Sequence, residues 1–166
     1  MTDFIRLMRH LTMTHWQVQR AFPESSLSAI EAAVTRAEKN HAGQIRVVVE
    51  GALAATPLWR GLPARQRALD VFSFLRVWDT EHNNGVLIYL LLADRDVEIV
   101  ADRGIAKRVS QETWEDICRQ MEMAFGTGRF QEGVIAGVGA VAQTLATHFP
   151  LQLAGANELT DRPLLM

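Results

Sequence analysis

A single cysteine, Cys118, stands in the whole chain, so no internal disulfide can form and the fold does not need an oxidising compartment. Neither sign of charge is in excess. Seventeen Lys and Arg against nineteen Asp and Glu leave a net charge of −2, which removes any general drive toward nucleic acid. No apolar run approaches the roughly 20 residues that cross a bilayer, the longest uninterrupted one being Val86 to Ala93. The opening MTDFIRLMRHLTMTHWQVQR lacks the continuous apolar stretch and small-residue cleavage site of a signal peptide. Repeats and low-complexity linkers are missing as well. These absences lead us to expect a soluble chain, cytoplasmic, with peripheral contact at a membrane left open.

Catalytic signatures are also lacking. There is no Asp-x-Asp nucleophile with a following lysine, no Cys-x5-Arg loop and no Walker-type glycine loop; Asp94-Arg95-Asp96 matches the first only superficially. His10 and His15 are five apart, which shares a helical face poorly, and no His-Glu-x-x-His occurs. His41, His82 and His148 are isolated and read as surface or cap residues, and Cys118 as a buried thiol.

What is present suits one compact domain: 166 residues, 48% hydrophobic, enough to bury a core. Phe4, Leu7, Met8 and Leu11 recur at helical spacing, with Arg6, Arg9 and His10 on other faces. This predicts a basic amphipathic helix over residues 3 to 20, docked on the domain or serving as a membrane-surface or partner helix. Pro23-Glu24-Ser25-Ser26 punctuates the chain, and Leu27, Ile30, Val34 and Ala37 continue a second helix.

Gln44–Glu50 is β-branched between two glycines and reads as a strand. A Pro/Gly-broken stretch follows and carries Trp59, the tryptophan placed for exposed recognition. Trp16, Trp78 and Trp114 read as core or interface anchors. From Ala64 a helix through Leu69, Phe72, Leu75 and Val77 or Trp78 should end before His82-Asn83-Asn84-Gly85. Val86 to Leu92 hardly alternates, which fits a strand buried on both faces; Ala93 to Asp96 reverses the chain, and Val97 to Ala101 returns antiparallel. Trp114, Ile117, Met121 and Phe125 seat another helix on the sheet. A last helix from about Gln131 to Phe149 has Gly133, Gly137 and Gly139 for close packing against the sheet. The parts are thus an N-terminal helical segment 1–22, an α/β domain 23–150, and a tail 151–166 without period, expected to fray.

Asp79, Glu81 and Asn84 approach the start of the second strand, and Asp102 leaves the end of its antiparallel neighbour. The four lie on one edge of the hairpin, and hard cations such as calcium or magnesium take several carboxylate and amide oxygens together. They form the first candidate metal site, against the plainer reading of turn geometry with solvated acids. At the opposite edge, Glu50, Asp94 and Asp96 form a second polar rim, where ligands of open α/β sheets often bind, against turn chemistry with a local charge pair.

The order GQIRVVVE, then NNGVLIYLLLADRDVEIVADRGI, then FGTGRFQEGVIAGV resembles the TPM domain family over about residues 24 to 149. The resemblance implies a three-layer α/β/α sandwich with a mixed central sheet. It also implies kinship with bacterial, thylakoid-lumen and animal membrane proteins, some described as acid phosphatases and some as binding calcium or another divalent cation. Many such proteins carry a signal peptide and membrane anchor, which this sequence lacks. Where the family often has Gly-x-Gly-Leu-Glu after the third strand, this chain has Asp102-Arg103-Gly104-Ile105-Ala106. The function expected is a non-catalytic binding or accessory module, stabilised by a cation, that assists a protein complex or a membrane-associated process. The alternative is a weak metal-dependent acid phosphatase.

Overall fold

The computed structural model describes residues 4–151 and 155–166; Met1 to Asp3 and residues 152–154, which belong to the expected terminal segments, lie outside them. In chain order the elements are α1 Phe4–Thr12, α2 His15–Ala21, α3 Glu24–Ala37 with a 3₁₀ turn Glu38–Asn40, β1 Gln44–Glu50, α4 Ala55–Trp59, α5 Ala64–Phe74, β2 Gly85–Leu91, β3 Asp96–Ala101, α6 Arg103–Ala106, α7 Gln111–Gly126, α8 Phe130–His148 and β4 Leu164–Leu165.

The sheet runs in the order β3-β2-β1-β4. β1 pairs parallel with β2 from Gln44↔Gly85 to Glu50↔Leu91, and β2 pairs antiparallel with β3 from Val86↔Ala101 to Leu91↔Asp96. The poor alternation of β2 has its cause here. Val86, Ile88 and Leu90 enter one core with α3, α7 and α8, while Leu87, Tyr89 and Leu91 enter the other with Leu53, Leu58, Ala68 and Val71 on the α4–α5 side. A strand with helices on both faces has no solvated side for polar residues. The three-layer mixed α/β architecture is therefore present.

Several boundaries differ from the sequence reading. The N-terminal segment is two helices, because Thr14 forms a capping box with Gln17 and starts α2 afresh. Helix α5 stops at Phe74, since Arg76 turns left-handed at φ 54°; Val77 is buried outside any helix and Trp78 is exposed. Trp16 is exposed too, and of the three tryptophans read as core or interface anchors Trp114 is the one that is buried. Gly133 and Gly137 open space for Phe125 and Met121 of α7 rather than for the sheet.

Residues 155–166, read from sequence as a tail, lie against the sheet and α3. Leu164 and Leu165 pair parallel with Val48 and Val49, Arg162 reaches Glu24 and Glu31 of α3, and the Gln44 side chain accepts the backbone N–H groups of Glu158 and Leu159. The open edge of β1 had backbone groups to satisfy, and a short non-periodic segment suffices for that.

The opposite edge is closed by side chains. In β3 the outward N–H of Val97 donates to Glu122 of α7, and Arg65 of α5 donates to the outward carbonyl of Ile99. A cleft of about 440 Å³ lies over this edge, where Asp96, Glu98 and Glu122 gather.

Candidate functional site

Parallel pairing of β1 with β2 and antiparallel return of β3 put Gln44, Gly85 and Asp102 at one end of the sheet. The N–H of Asp102 donates to the Gly85 carbonyl at 2.9 Å, and Gln44 N–H donates to the Asn84 carbonyl at 3.3 Å. Of the first candidate set, Asn84 and Asp102 are brought to this one end and buried, at 0% and 6% exposure. Asp79 and Glu81 do not join them. Asp79 is exposed and paired with Arg76 at 2.7 Å, and the Glu81 side chain is exposed while its backbone N–H donates to Glu158.

The two buried groups are half satisfied. The Asn84 amide Nδ2 donates to the Ala42 carbonyl at 2.9 Å, and its backbone N–H donates to Thr80 Oγ1 at 3.1 Å, but its Oδ1 has no partner. Asp102 caps α6, its Oδ1 accepting the Arg103 N–H at 2.7 Å, while its Oδ2 is buried without a partner. A buried polar atom left unsatisfied costs about 1–3 kcal/mol, so two oxygens open at one strand end are an unusual expenditure. The hairpin rim around them is rigid. Asn83 turns left-handed at φ 51°, Arg103 Nε donates to Asn83 Oδ1 at 2.9 Å, and Gly104 N–H donates to the Asn83 carbonyl at 2.9 Å. A Cβ on Gly104 would strike that same carbonyl.

His41 is a residue that sequence reasoning missed here. Read from sequence as a surface or cap residue, it follows the 3₁₀ turn as its C-cap but is 1% exposed, and neither ring nitrogen has a hydrogen-bond partner. It precedes Ala42, whose carbonyl holds the Asn84 amide. Burial pushes its pKa down, so the ring is held neutral, a form able to donate from one nitrogen and accept at the other. No local pattern signals it, because the contact comes from β1 arriving beside β2. Next to it Glu38, whose Oε1 accepts the Ile45 N–H at 2.7 Å, is raised to about 7, chiefly by burial.

The second rim is dispersed. Glu50 accepts two bonds from Arg67, at 2.8 and 2.9 Å, and a third from the Tyr89 hydroxyl at 2.6 Å; burial and this carboxylate push the Tyr89 pKa up. Asp94 is taken by α1. Arg6 Nε donates to its Oδ2 at 2.9 Å, and His10 Nε2 lies 3.0 Å from Oδ1, close but off the hydrogen-bonding direction. Because His10 Nδ1 accepts the Leu53 N–H at 3.0 Å, the ring's proton sits on Nε2, facing the carboxylate. Burial would raise the Asp94 pKa, and the hydrogen bond and charge of Arg6, with the His10 ring beside it, outweigh this and hold it below the usual carboxylate range. Asp96 belongs to a third neighbourhood; burial, then Glu98 and Glu122, raise it to about 6.

Among the described residues no three His, Cys, Asp or Glu side chains are placed to hold a metal ion together. The Asn84–Asp102 end offers one carboxylate oxygen and one amide oxygen, the atom types that a hard cation takes. Cys118 offers no nucleophile, since burial pushes its thiol up to about 12.

The TPM domain model matches residues 18–144. No curated protein matches the chain. Among solved structures, the BA42 protein of the psychrophilic bacterium Bizionia argentinensis is similar at 31% identity and a TM-score of 0.75, over 86% of this chain and 93% of that one. The N-terminal domain of a protein from P. gingivalis shares the fold at 21% identity and a TM-score of 0.61, over 77% of this chain and 78% of that one. No helix among the described residues is long and apolar enough to cross a membrane. With the family model matching well over half its length on the strands, hairpin and helices just described, the chain belongs to the TPM domain family.

Proposed function

We propose that this chain is a non-catalytic accessory module whose hairpin end takes a divalent cation, calcium or magnesium, and which assists a protein complex or a process at a membrane. The observation that supports the reading is the pair of buried, unpartnered oxygens, Asn84 Oδ1 and Asp102 Oδ2, on a rigid strand end. Of the four ligands suggested by sequence, these two carry the proposal; Asp79 and Glu81 would enter only by leaving their present positions.

Thermal unfolding of metal-stripped protein, wild type and Asp102→Asn, with and without each cation, tests it. Asparagine keeps the helix cap and removes only the charge. A cation at about a hundred times its dissociation constant adds roughly 2.7 kcal/mol by linkage, a rise of about 5–11 °C at this size, and the rise should vanish in the variant. No rise with any cation would refute the site. The acid-phosphatase alternative would need metal-dependent turnover of a chromogenic phosphate ester, abolished by the same substitution; turnover of that kind would displace the accessory reading.

A further inference from the structure

Helix α1 is seated on its polar side. Arg6 and His10 turn inward to Asp94, and Arg6 also donates to the Leu62 carbonyl at 2.9 Å. Of its apolar stripe only Leu7 packs against the core. Phe4, Ile5, Met8 and Leu11 remain 73%, 70%, 41% and 63% exposed. Helix α2 prolongs the surface with Trp16, 64% exposed, on which Arg20 stacks at 5.3 Å, and Trp59 of α4 is 73% exposed. Four large apolar side chains exposed on one short helix mark an interaction site rather than chance exposure.

The charge around it names the occupant. Residues 4–21 and 51–69 contain no Asp or Glu, yet carry Arg20 and Arg60 at the surface, with Arg9 also exposed but 3.6 Å from Asp94, so one end of a chain of net charge −2 is locally cationic. Beside Trp16 a groove of about 680 Å³ is lined by Arg20 and Arg95, with Glu132 also on its wall. The stripe sets a phenyl and an indole ring in the same acid-free stretch as guanidinium groups. An apolar layer under an anionic skin complements both features at once.

We propose that the outward face of α1, with Trp16 and the arginines beside it, lies on an anionic lipid surface. The proposal deepens the accessory reading by giving it a surface, and rests on that reading only for its setting, since the cation site takes no part.

The test is co-sedimentation of the whole chain, in EDTA, with vesicles of phosphatidylcholine mixed with phosphatidylglycerol or of phosphatidylcholine alone. Binding to the mixed vesicles is expected, about tenfold or more stronger than to the neutral ones and weakened by salt. Met8→Ser with Leu11→Ser should lower it by at least about tenfold, and Arg20→Glu with Arg60→Glu should abolish the preference for anionic lipid. Unfolding temperatures of the variants report that they fold, because every changed side chain is solvent-facing. No binding to either vesicle, or binding indifferent to these substitutions, overturns the proposal. So does a wild-type dimer in solution that the serine variant dissociates, which would assign the stripe to a second copy. Unchanged vesicle binding by Asp102→Asn separates this result from the fate of the cation site.

Discussion

The two ends of the sheet use buried carboxylates in opposite ways. At the end where β1 and β2 finish, Glu50 takes three hydrogen bonds from Arg67 and Tyr89, and Asp94, though its Oδ1 makes no hydrogen bond, has Arg6, His10 and Arg9 at 2.9, 3.0 and 3.6 Å. At the end where they begin, Asp102 and Asn84 each keep an oxygen with nothing to bind. Both ends are acidic in sequence and both are buried, so neither composition nor burial separates them; the supply of partners does. A carboxylate paired with cationic side chains is part of the fold, and one that pairs with none is where the fold has left room for something else.

Four substitutions break or sharpen that contrast. The largest effect is expected from Arg67→Met, which strands Glu50 and its Tyr89 bond in the interior; urea unfolding should show a loss of about 3 kcal/mol. Gly104→Ala comes next, at about 2 kcal/mol, because the added methyl meets the Asn83 carbonyl and not a yielding side chain. A loss under about 0.5 kcal/mol there would mean that the open end is loosely built.

Third is a pH effect. The folded-state pKa of Asp96 is raised to about 6 from 3.8, so between those values the folded chain holds a proton that the unfolded chain has released. Stability from this group is present below about pH 4 and is lost as the pH rises toward 6. Asp96→Asn should remove that decline, worth about 1 kcal/mol once solvent screening is allowed for, seen as a smaller fall in unfolding temperature between pH 4 and pH 7. Glu38, raised to about 7, declines in the same direction, so the variant's profile should flatten only in part. The smallest effect is Asp102→Asn in metal-stripped protein, within about 0.5 kcal/mol of wild type, since the cap survives.

Sequence pattern carried the sheet and the helical layers because β-branched runs and a 3.6-residue period report burial directly, as at Gln44–Glu50 and along Trp114 to Phe125. It also placed Asn84 and Asp102 at one end, since turn chemistry fixes where a hairpin starts and stops. It could not rank them above Asp79 and Glu81, because pairing with Arg76 or exposure beside Glu158 depends on folded distances. The period of α1 was legible and its orientation was not. Amphipathicity says that a helix has two faces, and here a single distant carboxylate, Asp94, decided which one turns inward. Nor could Leu164-Leu165 be recognised as a strand, for its pairing arises from the vacancy beside β1 and not from its own two residues.

The closure of both sheet edges has a consequence for how copies of this molecule meet. Open strands in concentrated protein invite cross-strand growth into fibres. Here one flank is zipped by Leu164 and Leu165, and the other is plugged by Glu122 and Arg65 on the outward groups of Val97 and Ile99. Strand addition is thereby opposed at both flanks, since a second chain would have to displace these bonds or pair with an edge strand only two residues long.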